Sequence, residues 1–464
     1  MYSGNCSWDL NLLSFRYNEF KMYNRTQVDQ YRKKHFGNIL QFACENSPFY
    51  QSYYRHINTE QIVTPSDLPL LNKHILMENW ENVVTEKTIK KNDLKKYFST
   101  SFDFEKRFLN EYLAFHTSGS TGYPTYVVWD QGEFQFSIAN YFLAVSSKML
   151  GMNSFEDVLA RKYQIAYIGI MDDYVGGNSW AYGLKQYANI VMFSVFSPID
   201  YLCEKLDKFN PDIIMTKPSL LGELSRKQSI GELHLNLKNI IFAGEMISPI
   251  DGRDIYNYFG IRAKNSYSTC ETGPIAFQTS SNDESMDILE NMVWLELVDD
   301  EGNIIEDYYK LGNIVITNLY NKTMPIIRYN LGDKAYYMPN EKNDALNRIS
   351  YIYGRETSFF PFSDSNGRRI NVSEYPFWNL FVTGILRYQI IQTDKWKIKI
   401  RIQFELKLST SEKDTAKNAM LERVKNILSS YGIISDLVMF TFEEVDKIEP
   451  NSAGKIQITF PYKS

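Results

Sequence analysis

Between Ile165 and Ser266, short apolar runs alternate with amphipathic stretches of helical length, and this alternation restricts the fold more than any other feature of the chain. Runs 165–171, 189–196, 212–216, 239–243 and 261–266 read as strands, and 199–209, 218–227 and 249–259 as helices, two of which open on proline. Strands joined by helices of this length lie parallel in one sheet, with the helices covering it. The expected fold class is α/β.

That expectation locates ligands, which on such sheets bind beyond the carboxyl ends of the strands. Two acids stand there. Glu245 follows Gly244 after run 239–243, and Glu271 closes Tyr267-Ser268-Thr269-Cys270-Glu271 after run 261–266. Each alone is also an ordinary loop acid; two at equivalent positions imply a shared crevice. Upstream, His116-Thr117-Ser118-Gly119-Ser120-Thr121-Gly122-Tyr123-Pro124 lies between apolar runs 112–115 and 126–129, which read as a hairpin. Glycines there free successive N–H groups to surround an anion, and the hydroxyls add donors, so phosphate is the natural ligand. The same residues also make a small-residue surface turn. The loop is not a Walker sequence, because no lysine follows Gly122.

The remaining chain sets the frame. Its 464 residues allow two or three domains, and a net charge of −5 argues against bulk nucleic-acid binding. Cys6, Cys44, Cys203 and Cys270 form no CxxC pair, which argues against a zinc site and a disulfide framework. No signal-peptide pattern opens the sequence and no apolar run is long enough to span a bilayer, so a cytoplasmic location is expected. A helix is expected from Thr26, capped by that residue, with Val28, Tyr31, His35, Ile39 and Phe42 on one face and an end at Ser47-Pro48. The run from Lys90 to Lys96 reads as a solvated charged surface, and 133–150 as a helix. From Trp294 the texture turns β-rich, with Asp333 after Gly332 at a turn, where an acid either accepts the hydroxyls of a ribose or caps the turn. A boundary near Gly354-Arg355 divides a large domain, 1–357, from a small α+β domain, 358–464. In the latter, 395–407 alternates an apolar and a basic face, 411–431 reads as a helix, and 437–445 as a strand.

Taken together, these stretches resemble the adenylate-forming superfamily of acyl-CoA ligases, luciferases and adenylation domains, in particular the phenylacetate–CoA ligase and capsular-polysaccharide-protein group. The matching motifs are the loop 117–124, Ala243-Gly244-Glu245, Tyr267 to Glu271, Arg328 to Asp333 with Gly354-Arg355, and Gly454-Lys455, and the likeness extends over roughly 27–460. It implies two half-reactions. A carboxylate attacks the α-phosphate of ATP to give an acyl-adenylate and pyrophosphate; a thiol such as CoA, or an amine, then takes the acyl group and releases AMP. By the same resemblance Thr117, Ser118, Gly119, Ser120, Thr121 and Gly122 hold phosphates, Glu271 positions Mg²⁺, and Tyr267, with Ser268 and Thr269, lies at the adenine. Gly244 and Glu245 border adenine and acyl pocket, Asp333 binds the ribose with Arg355 nearby, and Lys455 bridges carboxylate and nucleotide. The small domain is expected to swing between half-reactions, and relatives imply a homodimer. Tyr141, Trp180 and Cys270 are candidates for the wall of a pocket suited to an aromatic or medium-sized acid. The basic face of 395–407 is either an exposed sheet face with edge-protecting lysines or a surface for CoA or an acidic carrier protein.

The sequence departs from the family pattern in four places. Thr125 stands where many members carry lysine, Cys270 for a threonine, Leu331 for a threonine, and Thr357-Ser358 for an acidic pair. Two other functions remain open: transfer of the acyl group to a carrier protein or amine, and a non-catalytic nucleotide-binding relative.

Overall fold

The computed structural model describes residues 20, 23–100, 102–117, 124–145, 161–171, 173–279, 285–340, 345–353, 359–363, 369–378, 380–451 and 454–462. The chain divides into two compact units. The first is Met1–Thr216, Leu233–Ala243 and Ile261–Ile352; the second is Lys217–Glu232, Gly244–Gly260 and Tyr353–Ser464.

In the first unit, α1 (Arg25–Asn46) starts two residues earlier than its sequence signal. Asn24, not Thr26, is the cap: its side chain accepts the Gln27 N–H at 3.0 Å while Gln27 takes the Asn24 N–H at 2.9 Å. The buried face is also rotated from the expected one, to Val28, Arg32, Phe36, Ile39, Leu40 and Ala43. Arg32 is admitted because the buried carboxylate of Glu290 meets it at 2.7 Å, and Arg25 joins the same acid at 2.6 Å. The lysine-rich stretch near residue 90 forms the helix Lys91–Phe98, which buries Leu94 and Tyr97 and leaves its other face solvated.

Strands β1 (Tyr112–His116) and β2 (Tyr126–Asp130) pair antiparallel as the expected hairpin, with Tyr112 opposite Asp130 and His116 opposite Tyr126. Asp130 then caps α2 (Gln131–Ala144) by accepting the N–H groups of Gly132 and Glu133. The alternation that follows gives β3 (Gln164–Gly169), α3 (Gly176–Gly183), β4 (Asn189–Ser194), α4 (Ile199–Phe209), β5 (Ile213–Thr216), β6 (Asn239–Phe242) and β7 (Lys264–Thr269). These five strands are parallel, in the order β4-β3-β5-β6-β7. β8 (Gly273–Phe277) and β9 (Met286–Ile288) extend the sheet antiparallel from β7. β10 (Val293–Val298), β11 (Gly312–Asn318) and β12 (Tyr329–Ala335) form a separate antiparallel sheet. β13 (Tyr337–Met338) and β14 (Arg348–Ile349) complete the first sheet at nine strands, with β14 against β9.

Two boundaries differ from the sequence reading, and both matter to the site. The parallel partner β6 holds only Lys264 and Asn265 of β7, whereas β8 holds Ser266 to Thr269 from the other side. The strand therefore runs on, and Tyr267, Ser268 and Thr269 lie on it rather than beyond it. Asp333 likewise lies within β12, not in a turn; the irregularity there is Gly332, at φ +76.

The second unit contains α5 (Pro218–Ser229) and α6 (Pro249–Phe259). Arg226 bridges them through Asp251 at 3.3 Å and Asp254 at 3.0 Å. The helices approach so closely at Gly222 that a Cβ there would stand 1.8 Å from an Asp251 carboxylate oxygen. A hairpin of β15 (Phe359–Ser363) and β16 (Arg369–Ser373) precedes the sheet formed by β17 (Ile385–Asp394), β18 (Lys397–Phe404), β19 (Met439–Glu444) and β20 (Thr459–Phe460), in the order β19-β18-β17-β20. The long helix α7 (Thr410–Ser430), opened by a Ser409–Glu412 capping box, buries Ala416, Met420, Val424 and Leu428 at a spacing of one turn in the core that holds Ile398, Ile400 and Ile402. β18 is thus an interior strand and its basic residues protect no edge. Glu443 of β19 meets Lys399 at 3.1 Å and Arg401 at 3.2 Å. Among the described residues no helix is long and apolar enough to cross a membrane.

Candidate functional site

In the first unit, β7 and β12 bring two separate sequence motifs into contact. The Tyr267 hydroxyl donates to Asp333 Oδ2 at 2.7 Å, and the two residues are 9% and 8% exposed. Alternation along β12 turns Asp333 inward, and the antiparallel grip of β8 holds Tyr267. Glu271, buried, and Thr272 occupy the turn between β7 and β8. The Thr272 hydroxyl meets that of Thr269 at 3.1 Å, and its carbonyl accepts the Asn318 amide at 3.2 Å, which ties this turn to β11. Ser268 faces solvent.

The hairpin supplies the next part. The Thr125 N–H donates to Thr117 Oγ1 at 2.9 Å, and Thr117 N–H to the Thr125 carbonyl at 3.0 Å, closing the base of the loop. Ser118, Gly119, Ser120, Thr121 and Gly122 lie outside the described residues, as does Arg355. Thr125 is fully buried, and its hydroxyl has no partner among the described residues. At this position the chain faces the interior. His116 Nε2 lies 2.9 Å from Asp173 Oδ1, and its Nδ1 lies 2.9 Å from the Thr117 carbonyl, so the imidazole is held at both nitrogens.

Tyr141, Trp180 and Cys270 are gathered by glycines. Gly273, at φ +73, lies beneath the Trp180 indole so closely that a Cβ would come within 2.2 Å of Trp180 Cζ2. The Tyr141 and Trp180 rings meet edge-on at 6.5 Å, and the Tyr141 hydroxyl shares a hydrogen bond of 2.9 Å with Ser266. Gly176 opens α3 against Cys270, whose thiol points at the His116 carbonyl 3.7 Å away. Tyr141, Phe142, Val145, Ile165, Met215 and Ile241 surround much of an apolar cavity of about 20 Å³. Tyr167 on β3, absent from the sequence reading, is packed over Gly169 and Gly177, and burial pushes its hydroxyl well above the usual tyrosine range.

In the second unit, Gly244 takes φ +80, and the Lys455 stem lies over it: a Cβ on Gly244 would stand 3.7 Å from Lys455 Cε. Glu245 is half-buried, with Oε1 accepting the Ile456 N–H at 3.0 Å and the Ser219 hydroxyl also bonded to the carboxylate. Burial pushes this carboxyl above the usual glutamate range, while Lys217 and Lys455 pull it back. Lys217, at the start of α5, is pushed down to about 8 by burial, with Glu245 opposing the shift and Lys455 adding to it. The sequence reading named Gly244, Glu245 and Lys455; it missed Lys217 and Ser219. The rule that ligands lie beyond strand ends applies to Lys217 as well, one residue past β5. Among the described residues no three His, Cys, Asp or Glu converge as a metal cage. A single buried carboxylate such as Glu271 fits a metal of the Mg²⁺ type, which is bound by one or two carboxylates together with substrate phosphates.

No family model matches the chain. It is 26% identical over 324 residues to a phenylacetate–coenzyme A ligase of Pseudomonas putida, covering 68% of each protein. It is 21% identical over 449 residues to Protein CapK of Staphylococcus aureus, covering 91% of this chain and 87% of CapK. Among solved structures, 2-hydroxyisobutyryl-CoA ligase in the postadenylation state, in complex with R3-HIB-AMP, superposes with a TM-score of 0.73 at 17% identity, covering 96% of this chain and 92% of that one.

Proposed function

The chain is a member of the adenylate-forming superfamily, related to phenylacetate–CoA ligase and CapK, and from that premise we propose that it activates a carboxylic acid with ATP and passes the acyl group to CoA. The acid's carboxylate attacks the α-phosphate, pyrophosphate leaves, and the CoA thiol then displaces AMP from the acyl-adenylate. The observation that carries this reading is the Tyr267–Asp333 hydrogen bond at 2.7 Å, which gives a buried carboxylate a fixed orientation suited to a pair of ribose hydroxyls. Tyr267 offers its ring to adenine. Thr117 and its loop contact the phosphates, and Glu271 holds Mg²⁺, which offsets phosphate charge. Lys455 supplies the cation of the adenylation step, for which a flexible ammonium is suited. The ring set of Tyr141 and Trp180 supports an aromatic or medium-sized acid. An acidic carrier protein is the alternative acceptor, and a homodimeric assembly rests on the family resemblance.

Acid-dependent exchange of labelled pyrophosphate into ATP, run over a panel of carboxylic acids, tests the first half-reaction; CoA, carrier protein and amines compared as acceptors test the second. Lys455→Ala is expected to lower exchange by about 10²–10³-fold while sparing thioester formation from supplied acyl-AMP. Equal loss of both half-reactions would remove Lys455 from this role, and wild-type protein without exchange for any acid would refute the activity.

A further inference from the structure

Lys217, Glu245 and Ser219 cluster with Lys455 within the second unit, and the adenylation step uses Lys455 alone of the four. We propose that Glu245 is a positioning residue for Lys455 and that Lys217 is the counter-cation that keeps Glu245 able to do so; this rests on the adenylation reading above. Ile456 directly follows Lys455, so the bond from its N–H to Glu245 Oε1 fixes the backbone from which the Lys455 side chain departs. The preceding turn is already tight. Asn451 Oδ1 accepts the Lys455 N–H at 3.0 Å, the Lys455 carbonyl accepts the Asn451 N–H at 2.8 Å, and Gly454 N–H closes on the Asn451 carbonyl at 2.7 Å. The further anchor on residue 456 therefore adds to the hold on the Lys455 backbone. The lysine stem lies against Gly244, whose φ of +80 excludes most other residues.

The anchor must be charged to work well. An ionised carboxylate binds an N–H about twice as strongly as a neutral acceptor. Burial favours the protonated form of Glu245, and Lys217 and Lys455 are the cations that oppose it. Lys455 belongs to the reaction and meets negative charge on the substrates. Lys217 remains as the resident cation, placed at the N-terminal end of α5 beside the Ser219 that also holds the carboxylate. The charged groups facing Lys217 are Glu245 and Lys455, of opposite sign. The C-terminal strand β17 is fastened to the same helical turn, with Arg387 donating to the Ser219 carbonyl at 2.6 Å and lying 3.6 Å from Glu223.

The test uses Lys217→Met, Lys217→Arg, Glu245→Gln and the double variant Lys217→Met/Glu245→Gln in the full chain, with urea unfolding of each to establish that it is folded. Exchange of pyrophosphate into ATP and thioester formation from supplied acyl-AMP are measured in parallel. Lys217→Met and Glu245→Gln are each expected to lower the exchange kcat by about 10²-fold, the scale of a small misplacement of a reacting group. For Lys217→Met, thioester formation is expected to stay within about twofold of wild type, because an intact supplied adenylate no longer needs Lys455 in place. Because Lys217 acts through Glu245, the double variant is expected to be no slower than Glu245→Gln. Lys217→Arg, which keeps the charge, is expected to keep the rate. Additive losses in the double variant, equal loss of both half-reactions in Lys217→Met, or a loss of exchange in Lys217→Arg as large as in Lys217→Met would each overturn the arrangement. Wild-type exchange with all variants at full rate would overturn this inference alone; wild type without exchange for any acid would overturn it together with the activity.

Discussion

Tyr267→Phe removes the hydroxyl that donates from the β7 motif to the buried carboxylate of the β12 motif. The bond is 2.7 Å long and both residues are at most 9% exposed, so water replaces the lost donor poorly. Hydrogen bonds to charged groups contribute about 1.5–3 kcal/mol. The urea midpoint should fall by the equivalent of about 1.5–3 kcal/mol, with m unchanged. The functional effect has the same ceiling. If the hydroxyl serves only to orient Asp333 toward the ribose, kcat/KM for ATP in the exchange assay should fall by at most about 10–150-fold, and KM for the acid should hold. Asp333→Asn and the double variant complete a cycle in which the two losses are strongly non-additive. A Tyr267→Phe protein with wild-type stability and wild-type use of ATP would refute the reasoning, because the structure gives the bond no third purpose.

Two other perturbations follow from burial. Thr125→Lys would restore the cation that many relatives carry after the loop proline, but Thr125 is fully buried; the variant is expected to lose about 3–5 kcal/mol by urea unfolding and to gain no exchange activity, whereas a stable, faster enzyme would contradict the placement of this side chain. Glu133 on α2 accepts the Lys322 N–H at 3.0 Å, and burial pushes its carboxyl up to about 7. The native state then holds the proton more tightly than the unfolded chain, whose value lies near 4.3, so this residue's contribution is fully present below about pH 4.3 and is lost as pH rises to about 7. Glu133→Gln should flatten that slope and gain on the order of 1–2 kcal/mol at pH 8 after allowance for screening; an undiminished slope in the variant would assign it elsewhere.

The α/β alternation was legible because β3, β5 and β6 are short, mostly buried apolar runs, and β3 to β7 form the parallel set it implied. Errors arose where a second partner decides. β7 outruns its parallel neighbour because β8 grips it from the other side, which moves Tyr267 from the loop into the sheet. β18 looks like an edge by composition but has β17 and β19 on its flanks, and Glu443 takes Lys399 and Arg401. The helix cap moved from Thr26 to Asn24 for a similar reason: the reciprocal bond with Gln27 outweighs a lone hydroxyl. The same logic explains Lys217. In sequence, a lysine before a proline is by default a solvated residue, and only the approach of Glu245, Ser219 and Lys455 gives it a task. Residue type marks chemistry well when the chemistry is local, as in a hydroxyl- and glycine-rich loop. It marks poorly a charge whose role is to fix the state of another, since that role is written in the distance between two side chains and not in either one.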